Sequence, residues 1–238
     1  MPNYKIADLI VNMDCKSDML LSRGKPYQVS DALKPDLVFT LDEKRVKYYL
    51  DKYPQMNNNE WEYMLYGSDF YNALTGYNGM LLHASAVVVD DRAYLFSAPC
   101  GTGKSTHTSL WLKLFGDRAY IINDDKPAIR IIDGVPYVYG TPFSGKHDIS
   151  KNTRVRLGGI CFITQSPENE ISPMDSQDVI VAVMEQTIRN LSLEHMDKML
   201  TVLDEVLSSV KVYSLKCNMD ISAARLSYET MSGEKFNG

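Results

Sequence analysis

The sequence is short of several things, and each shortage removes a class of function. It has only four cysteines in 238 residues. Cys15, Cys100, Cys161 and Cys217 stand far apart, with no CxxC pair and no His/Cys ligand spacing. That argues against a disulfide framework or a zinc site and leads us to expect reduced thiols in a cytoplasmic protein. There is no basic excess: 25 Lys and Arg face 30 Asp and Glu, a formal net charge of −5. Nucleic-acid binders carry the opposite balance, so nucleic acid is not expected as a partner. No apolar run approaches the roughly 20 residues a membrane helix needs. Met1–Ile6 lacks the charged-then-apolar pattern of a leader, so no membrane partner is expected either. Internal repeats, low-complexity stretches and an NKxD base-reading motif are all missing.

What is present is the composition of a globular chain, 45% hydrophobic and 23% charged. That suffices for one well-buried core with a smaller appendage. Residues 1–79 are weakly patterned. Tyr4–Met13 and Asp36–Leu41 read as short strands. Asp42–Tyr53 could be a charged strand or a helix, and Gln55–Asn59 is a polar breaker. Trp61–Leu74 has loosely helical spacing. We expect these residues to form an α+β extension, with a second unit over 80–238.

The pattern sharpens at Met80. Leu81–Val89 is apolar and rich in β-branched residues, Asp90-Asp91-Arg92 reads as a turn, and Ala93–Phe96 as a second strand. The hairpin delivers the chain into Ala98-Pro99-Cys100-Gly101-Thr102-Gly103-Lys104-Ser105-Thr106, and a helix pattern runs on to about Phe115 before Gly116. Ala119–Ile122 reads as a buried strand. Ile129–Ile132 and Val135–Tyr139 read as a hairpin, and Gly158–Thr164 as a core strand. Gln177–Leu191 and Leu193–Ser209 have amphipathic helical spacing, Val212–Leu215 reads as a late strand and Ile221–Tyr228 as a terminal helix. Mixed helices and strands with several hairpins define an α/β class.

The stretch Ala98–Ser105 fits the phosphate-binding pattern G-x-x-x-x-G-K-[ST], with Ala98 in place of the first glycine. Such a loop turns backbone N–H groups inward to meet phosphate oxygens at a helix N-terminus. Pro99, Cys100, Gly101, Thr102, Gly103, Lys104, Ser105 and Thr106 are therefore candidate nucleotide contacts. Lys104 would reach the β- and γ-phosphates, and the Ser105 hydroxyl would bind Mg2+. A carboxylate near that metal usually stands at the end of a neighbouring core strand. Asp124 and Asp125 follow Ile121-Ile122 about twenty residues after Lys104, which suits one helix and a return strand. One can hold the metal while the other accepts the proton of an attacking hydroxyl. His83 lies inside an apolar run, where a histidine is as readily a core residue as a catalyst. Ser144-Gly145-Lys146-His147 could contact phosphate or acceptor, or be plain surface loop. Arg154 and Arg156 could face the phosphates or form a solvated edge.

Leu82-His83-Ala84-Ser85-Ala86, the strand pair, Ala98–Thr106 and Asn123-Asp124-Asp125 together resemble the catalytic domain of HPr kinase/phosphorylase and its smaller relatives. The shared order is histidine, hairpin, P-loop, helix, strand, paired aspartates, and the resemblance covers about residues 80–217. It implies a mixed-sheet P-loop NTPase core of the HPr kinase and phosphoenolpyruvate carboxykinase-like type. It also implies transfer of the γ-phosphoryl group of ATP, with Mg2+, to a hydroxyl, typically serine. His83, Lys104, Asp124 and Asp125 become candidate catalytic residues, Ser105, Asp124 and Asp125 candidate metal ligands, and Arg156 the counterpart of a family arginine. The glutamate of the family signature is replaced by Arg154, and the family's C-terminal docking helix has no clear counterpart. Those departures put reverse phosphorolysis and the HPr partner in doubt. The acceptor, a peptide, protein or small molecule, is not legible, nor is the oligomeric state, but residues 1–79, with their Tyr and Trp residues, could form part of the acceptor pocket. The alternative is a nucleotide-responsive binding module that transfers nothing.

Overall fold

The structure is a computed structural model and describes residues 1–188 and 192–236. The chain opens with the hairpin β1 (Asn3–Ile6) and β2 (Leu9–Met13), turning at Ala7 and Asp8 with positive φ. Helix α1 (Asp18–Gly24), strands β3 (Gln28–Val29) and β4 (Leu37–Phe39), and helices α2 (Glu43–Lys52) and α3 (Asn58–Leu74) follow. The first four strands form a small sheet in the order β3-β1-β2-β4. The charged stretch after Leu41 is thus a helix, capped by Asp42. The expected breaker is partly helical: Asn57 and Glu60 form a reciprocal capping box that starts α3 at Asn58.

The rest builds one large mixed sheet. Its elements are β5 (Gly79–Leu81), β6 (Ala84–Val89), β7 (Arg92–Ser97), α4 (Lys104–Phe115), β8 (Ala119–Asn123), β9 (Ala128–Ile132), β10 (Val135–Tyr139), β11 (Arg154–Gln165), β12 (Glu170–Pro173), α5 (Ser176–Glu185), α6 (Leu193–Ser209), β13 (Val212–Cys217) and α7 (Ile221–Ser232). The strand order is β5-β9-β10-β11-β7-β6-β8, with β13 beside the second half of β11 and β12 beyond it. Strand periodicity sorts the side chains. Ala86, Val88, Ala93 and Leu95 pack with α5 and α6, whereas Val87, Val89, Tyr94 and Phe96 pack with α4 and α7. Helices therefore cover both faces. The amphipathic stretch after Gln177 forms a helix only to Glu185, and its end at residues 189–191 lies outside the described residues.

Two expectations need correction. The run Leu81–Val89 is not one strand. Leu81 pairs with β9, whereas Ala84 pairs with β7, and His83 lies in the break between them. The segment 1–79 is also not set apart. The expected boundary falls within β5, and one hydrophobic core joins Tyr4, Ile6, Tyr66 and Phe70 to Leu81, Ala128, Tyr139 and Phe143. Buried Arg130 adds to the joint, donating to the carbonyls of Ala7 at 2.6 Å and Tyr77 at 3.0 Å.

Candidate active site

Sheet register brings distant segments to one edge. Ala84 pairs with Ser97, and Ala86 with Asn123. His83, the loop that leaves β7 and the Asp124-Asp125 pair that leaves β8 therefore emerge side by side. The carboxyl ends of β11 and β13 arrive at the same edge, since Phe162 pairs with Ser97 and Gln165 with Cys217. Ligands of α/β sheets bind outside such strand ends.

The loop is shaped for an anion. Gly101 and Gly103 have φ of +81° and +116°, a backbone region that L side chains rarely adopt. A Cβ built on either would meet no protein atom within 4 Å, so the space above the loop is open. Among the described residues the other α-helices begin with a side-chain cap: Ser17, Asp42, Asn57, Asp175, Ser192 or Asp220. Helix α4 begins at Gly103 with none. Its first-turn N–H groups and the positive end of its dipole are left for a ligand. Lys104 is buried, and its Nζ donates to the Ala98 carbonyl at 2.9 Å. Burial pulls the Lys104 pKa down, and the Asp125 charge opposes that pull. Ser105 and Thr106 are exposed on the first turn.

Asn123 sets the two aspartates. It is fully buried, and its Oδ1 accepts from the backbone N–H groups of Asp125 at 3.0 Å and Lys126 at 2.7 Å. This Asx-type turn gives the carboxylates different neighbours. Asp124 accepts the Gly145 N–H at 2.6 Å. Burial raises its pKa, the Gly145 N–H partly offsets this, and the Asp125 charge adds to the rise. Asp125 accepts from His83 Nε2 at 2.9 Å and from Lys126 Nζ at 2.6 Å. Burial alone would raise its pKa, but the His83 hydrogen bond and the Lys126 charge hold it well below the usual carboxylate range. On its other side, His83 Nδ1 lies 3.1 Å from Gln186 Oε1. Tyr63 stacks near Lys126, with Nζ 5.3 Å from the ring centroid.

The loop at Ser144-Gly145 joins the site through Asp124, and the N-terminal segment holds that loop. Tyr63 Oη donates to the Ser144 carbonyl at 2.6 Å, and Arg23 donates to the Ser144 and Gly145 carbonyls at 3.0 and 3.1 Å. Lys146 and His147 are exposed beside it. Sequence reasoning gave no role to Lys126, Gln186 or Arg23, and reached Tyr63 only through the general expectation that the Tyr and Trp residues of 1–79 could form part of an acceptor pocket. Lys126 had a signal, a cation directly after paired carboxylates, but the others arrive by tertiary contact.

Arg156 is not brought to the site. It pairs with Arg92 at the opposite end of β7, five residues from Ser97, or roughly 16 Å at the rise of a strand. Arg154 stands at the same far end, paired with Asp8 at 2.8 Å and set over Tyr137. Both arginines belong to a solvated edge, because register rather than sequence order decides which end of a strand faces the loop.

Two cavities flank the loop that leaves β7. One, of about 620 Å3, is lined by Gly101, Thr102 and Gly103 together with α4 and the chain beyond β11 and β13. The other, of about 1000 Å3, is lined by Pro99, Cys100, His83, Lys126 and the apolar face of α5 at Ile180, Val181 and Met184. Among the described residues no group of three or more His, Cys, Asp or Glu side chains is arranged to hold a metal. Mg2+ in phosphoryl-transfer sites is held by one or two carboxylates plus phosphate oxygens and water. The exposed Ser105 hydroxyl and the Asp124 carboxylate fit that donor set. Both Asp125 oxygens are already engaged by His83 and Lys126.

No protein-family model matches this sequence, and no curated protein matches it. Among solved structures the chain is similar to the HPr(Ser) kinase/phosphatase from Coxiella burnetii. That similarity has 12% sequence identity and a TM-score of 0.33, over 64% of this chain and 93% of that one. A likeness of that degree leaves the functional argument to the site itself.

Proposed function

We propose that this chain is an ATP- and Mg2+-dependent kinase that transfers the γ-phosphoryl group to a hydroxyl, typically serine, of a peptide, protein or small molecule. The observation that carries the reading is the meeting, at one sheet edge, of an uncapped helix N-terminus with its lysine and an ionised aspartate held by His83 and Lys126. The loop N–H groups and Lys104 hold the phosphates and stabilise charge as it develops on the transferred group. Asp125 is the base. The acceptor oxygen attacks the γ-phosphorus, its proton goes to the Asp125 carboxylate, and the bond to the β-phosphate oxygen breaks to release ADP. His83 and Lys126 position that carboxylate. Ser105 and Asp124 would hold Mg2+, which would supply neutralising charge to the phosphates. The acceptor occupies the cavity beside His83 and Lys126, next to a second cavity that Tyr63 and Arg23 of residues 1–79 line together with Asp125 and Lys126.

The test is incubation with Mg2+ and γ-labelled ATP, alone and with a panel of small-molecule and peptide hydroxyls that includes free serine. Label on an acceptor supports the kinase. A second reading, a nucleotide-responsive binding module, is favoured by the existing partners of both Asp125 oxygens, His83 on one and Lys126 on the other. Tight ATP binding with no labelled acceptor would select it.

A further inference from the structure

The charge that polarises the loop lies on one side of it. His83 and Lys126 line the cavity shared with Pro99 and Cys100, and Asp125, bonded to both, lines an adjoining one with Lys126, so the γ-phosphate end of a nucleotide belongs on that side. The other end must leave the loop on the opposite side, where the 620 Å3 cavity begins at Gly101, Thr102 and Gly103. Its volume lies within the roughly 300–1,000 Å3 of small-molecule sites. Leu110 and Ile163 form apolar wall, and Met219 stands at the cavity 78% exposed. A flexible thioether set over an apolar slot is suited to lie against a planar ring.

Several polar groups of this cavity are engaged within the protein. His107 is buried, with Nε2 3.0 Å from Ser227 Oγ and Nδ1 3.9 Å from Cys217 Sγ. Asn218 Nδ2 donates to the Pro167 carbonyl at 2.9 Å, and its Oδ1 accepts from the Asp220 N–H at 2.9 Å. The Ser166 hydroxyl accepts the Glu168 N–H. Gln165 Nε2 donates to the Thr102 carbonyl at 3.1 Å, which ties the end of β11 to the loop and leaves the amide oxygen and the second N–H. Among the described residues no carboxylate lines the cavity. Adenine and guanine differ at the exocyclic 6-position and at N1 and N2, and only fixed, complementary hydrogen-bonding groups tell them apart strongly.

We infer that this cavity is the base site of the nucleotide, that Met219 covers the ring, and that the site takes adenine and guanine nucleotides alike. The inference rests on the proposed nucleotide site and adds its base specificity. Calorimetric titration with MgATP, MgGTP and magnesium tripolyphosphate tests it on the wild type and on Met219→Ala, whose exposed position leaves the fold unburdened. The expected result is ATP and GTP affinities within about tenfold of each other, each at least about tenfold tighter than tripolyphosphate. Met219→Ala should weaken both nucleotides at least threefold and leave tripolyphosphate unchanged. A larger ATP-to-GTP ratio, a smaller nucleotide advantage, or unchanged nucleotide affinity in Met219→Ala overturns the base site while the phosphate loop stands. Failure of all three ligands to bind the wild type removes the loop reading, and this one with it.

Discussion

Gly145 offers a clean test of whether Asp124 works from a fixed position. Its N–H donates to Asp124 at 2.6 Å, and a Cβ added there would lie 2.9 Å from Asp124 Oδ2 and 3.1 Å from Cγ and Oδ1. Ordinary contact begins near 3.4 Å. The φ of Gly145 lies outside the left-handed region, so alanine meets no backbone penalty and the whole effect falls on the carboxylate. In Gly145→Ala that carboxylate must retreat by about half an ångström, at a cost of roughly 1–3 kcal/mol for an overpacked contact. Misplacing a reacting group by about 1 Å costs on the order of 100-fold in rate, so the expected loss here is about 10- to 100-fold. ATP affinity should change less than about threefold, because the loop and Lys104 are untouched. The assay is γ-phosphate turnover with Mg2+, run beside calorimetric ATP binding. A folded Gly145→Ala protein with wild-type turnover would refute the role given to Asp124.

Lys104→Ala should lower phosphoryl transfer by on the order of 100-fold or more, and near-normal turnover would sink the loop assignment. His83 and Asp125 act as a unit, so His83→Ala, Asp125→Asn and the double variant should form a strongly non-additive cycle. The double variant should be no slower than the worse single one, whereas additive losses would mean the two residues work separately. Burial pushes the His107 pKa down to about 4. The unfolded chain takes up this proton below about pH 6.5 and the folded chain does not until about pH 4. His107 therefore costs no stability above that window, and as pH falls through it roughly 3 kcal/mol is lost. Urea unfolding without Mg2+ at pH 7 and 4.5 should show a drop that shrinks by about 2–3 kcal/mol in His107→Gln. An equal drop in both proteins would contradict the burial argument.

The parts of this site that were legible are local in sequence. Ala98–Thr106 and Asn123-Asp124-Asp125 are contiguous segments, and the strands before them are apolar runs that local pattern reveals. His83 was a candidate through the family resemblance, but its own stretch left it open between core residue and catalyst, because Leu81–Val89 looks continuous and only pairing to two different neighbours breaks it. The contact with Gln186 depends on how the chain returns after α5, which no periodicity encodes. Arg156 was misplaced for a related reason, since a strand has two ends and only register says which one meets the loop. The elements of the N-terminal segment were partly legible as strands and helix. Its union with the main sheet was not, because it depends on aromatic residues such as Tyr66, Phe70 and Phe143 meeting across some 80 positions.

In the proposed mechanism the γ-phosphoryl group leaves ATP at this loop under the action of Asp125. The most direct measurement gives the protein α-labelled and γ-labelled ATP in parallel, with Mg2+ and the acceptor panel, beside Asp125→Asn. The account predicts that γ label moves to an acceptor, α label stays on the nucleotide, and Asp125→Asn binds ATP but transfers on the order of 100-fold more slowly. Transfer undiminished in Asp125→Asn, or no γ label on any acceptor while ATP binds tightly, would contradict it.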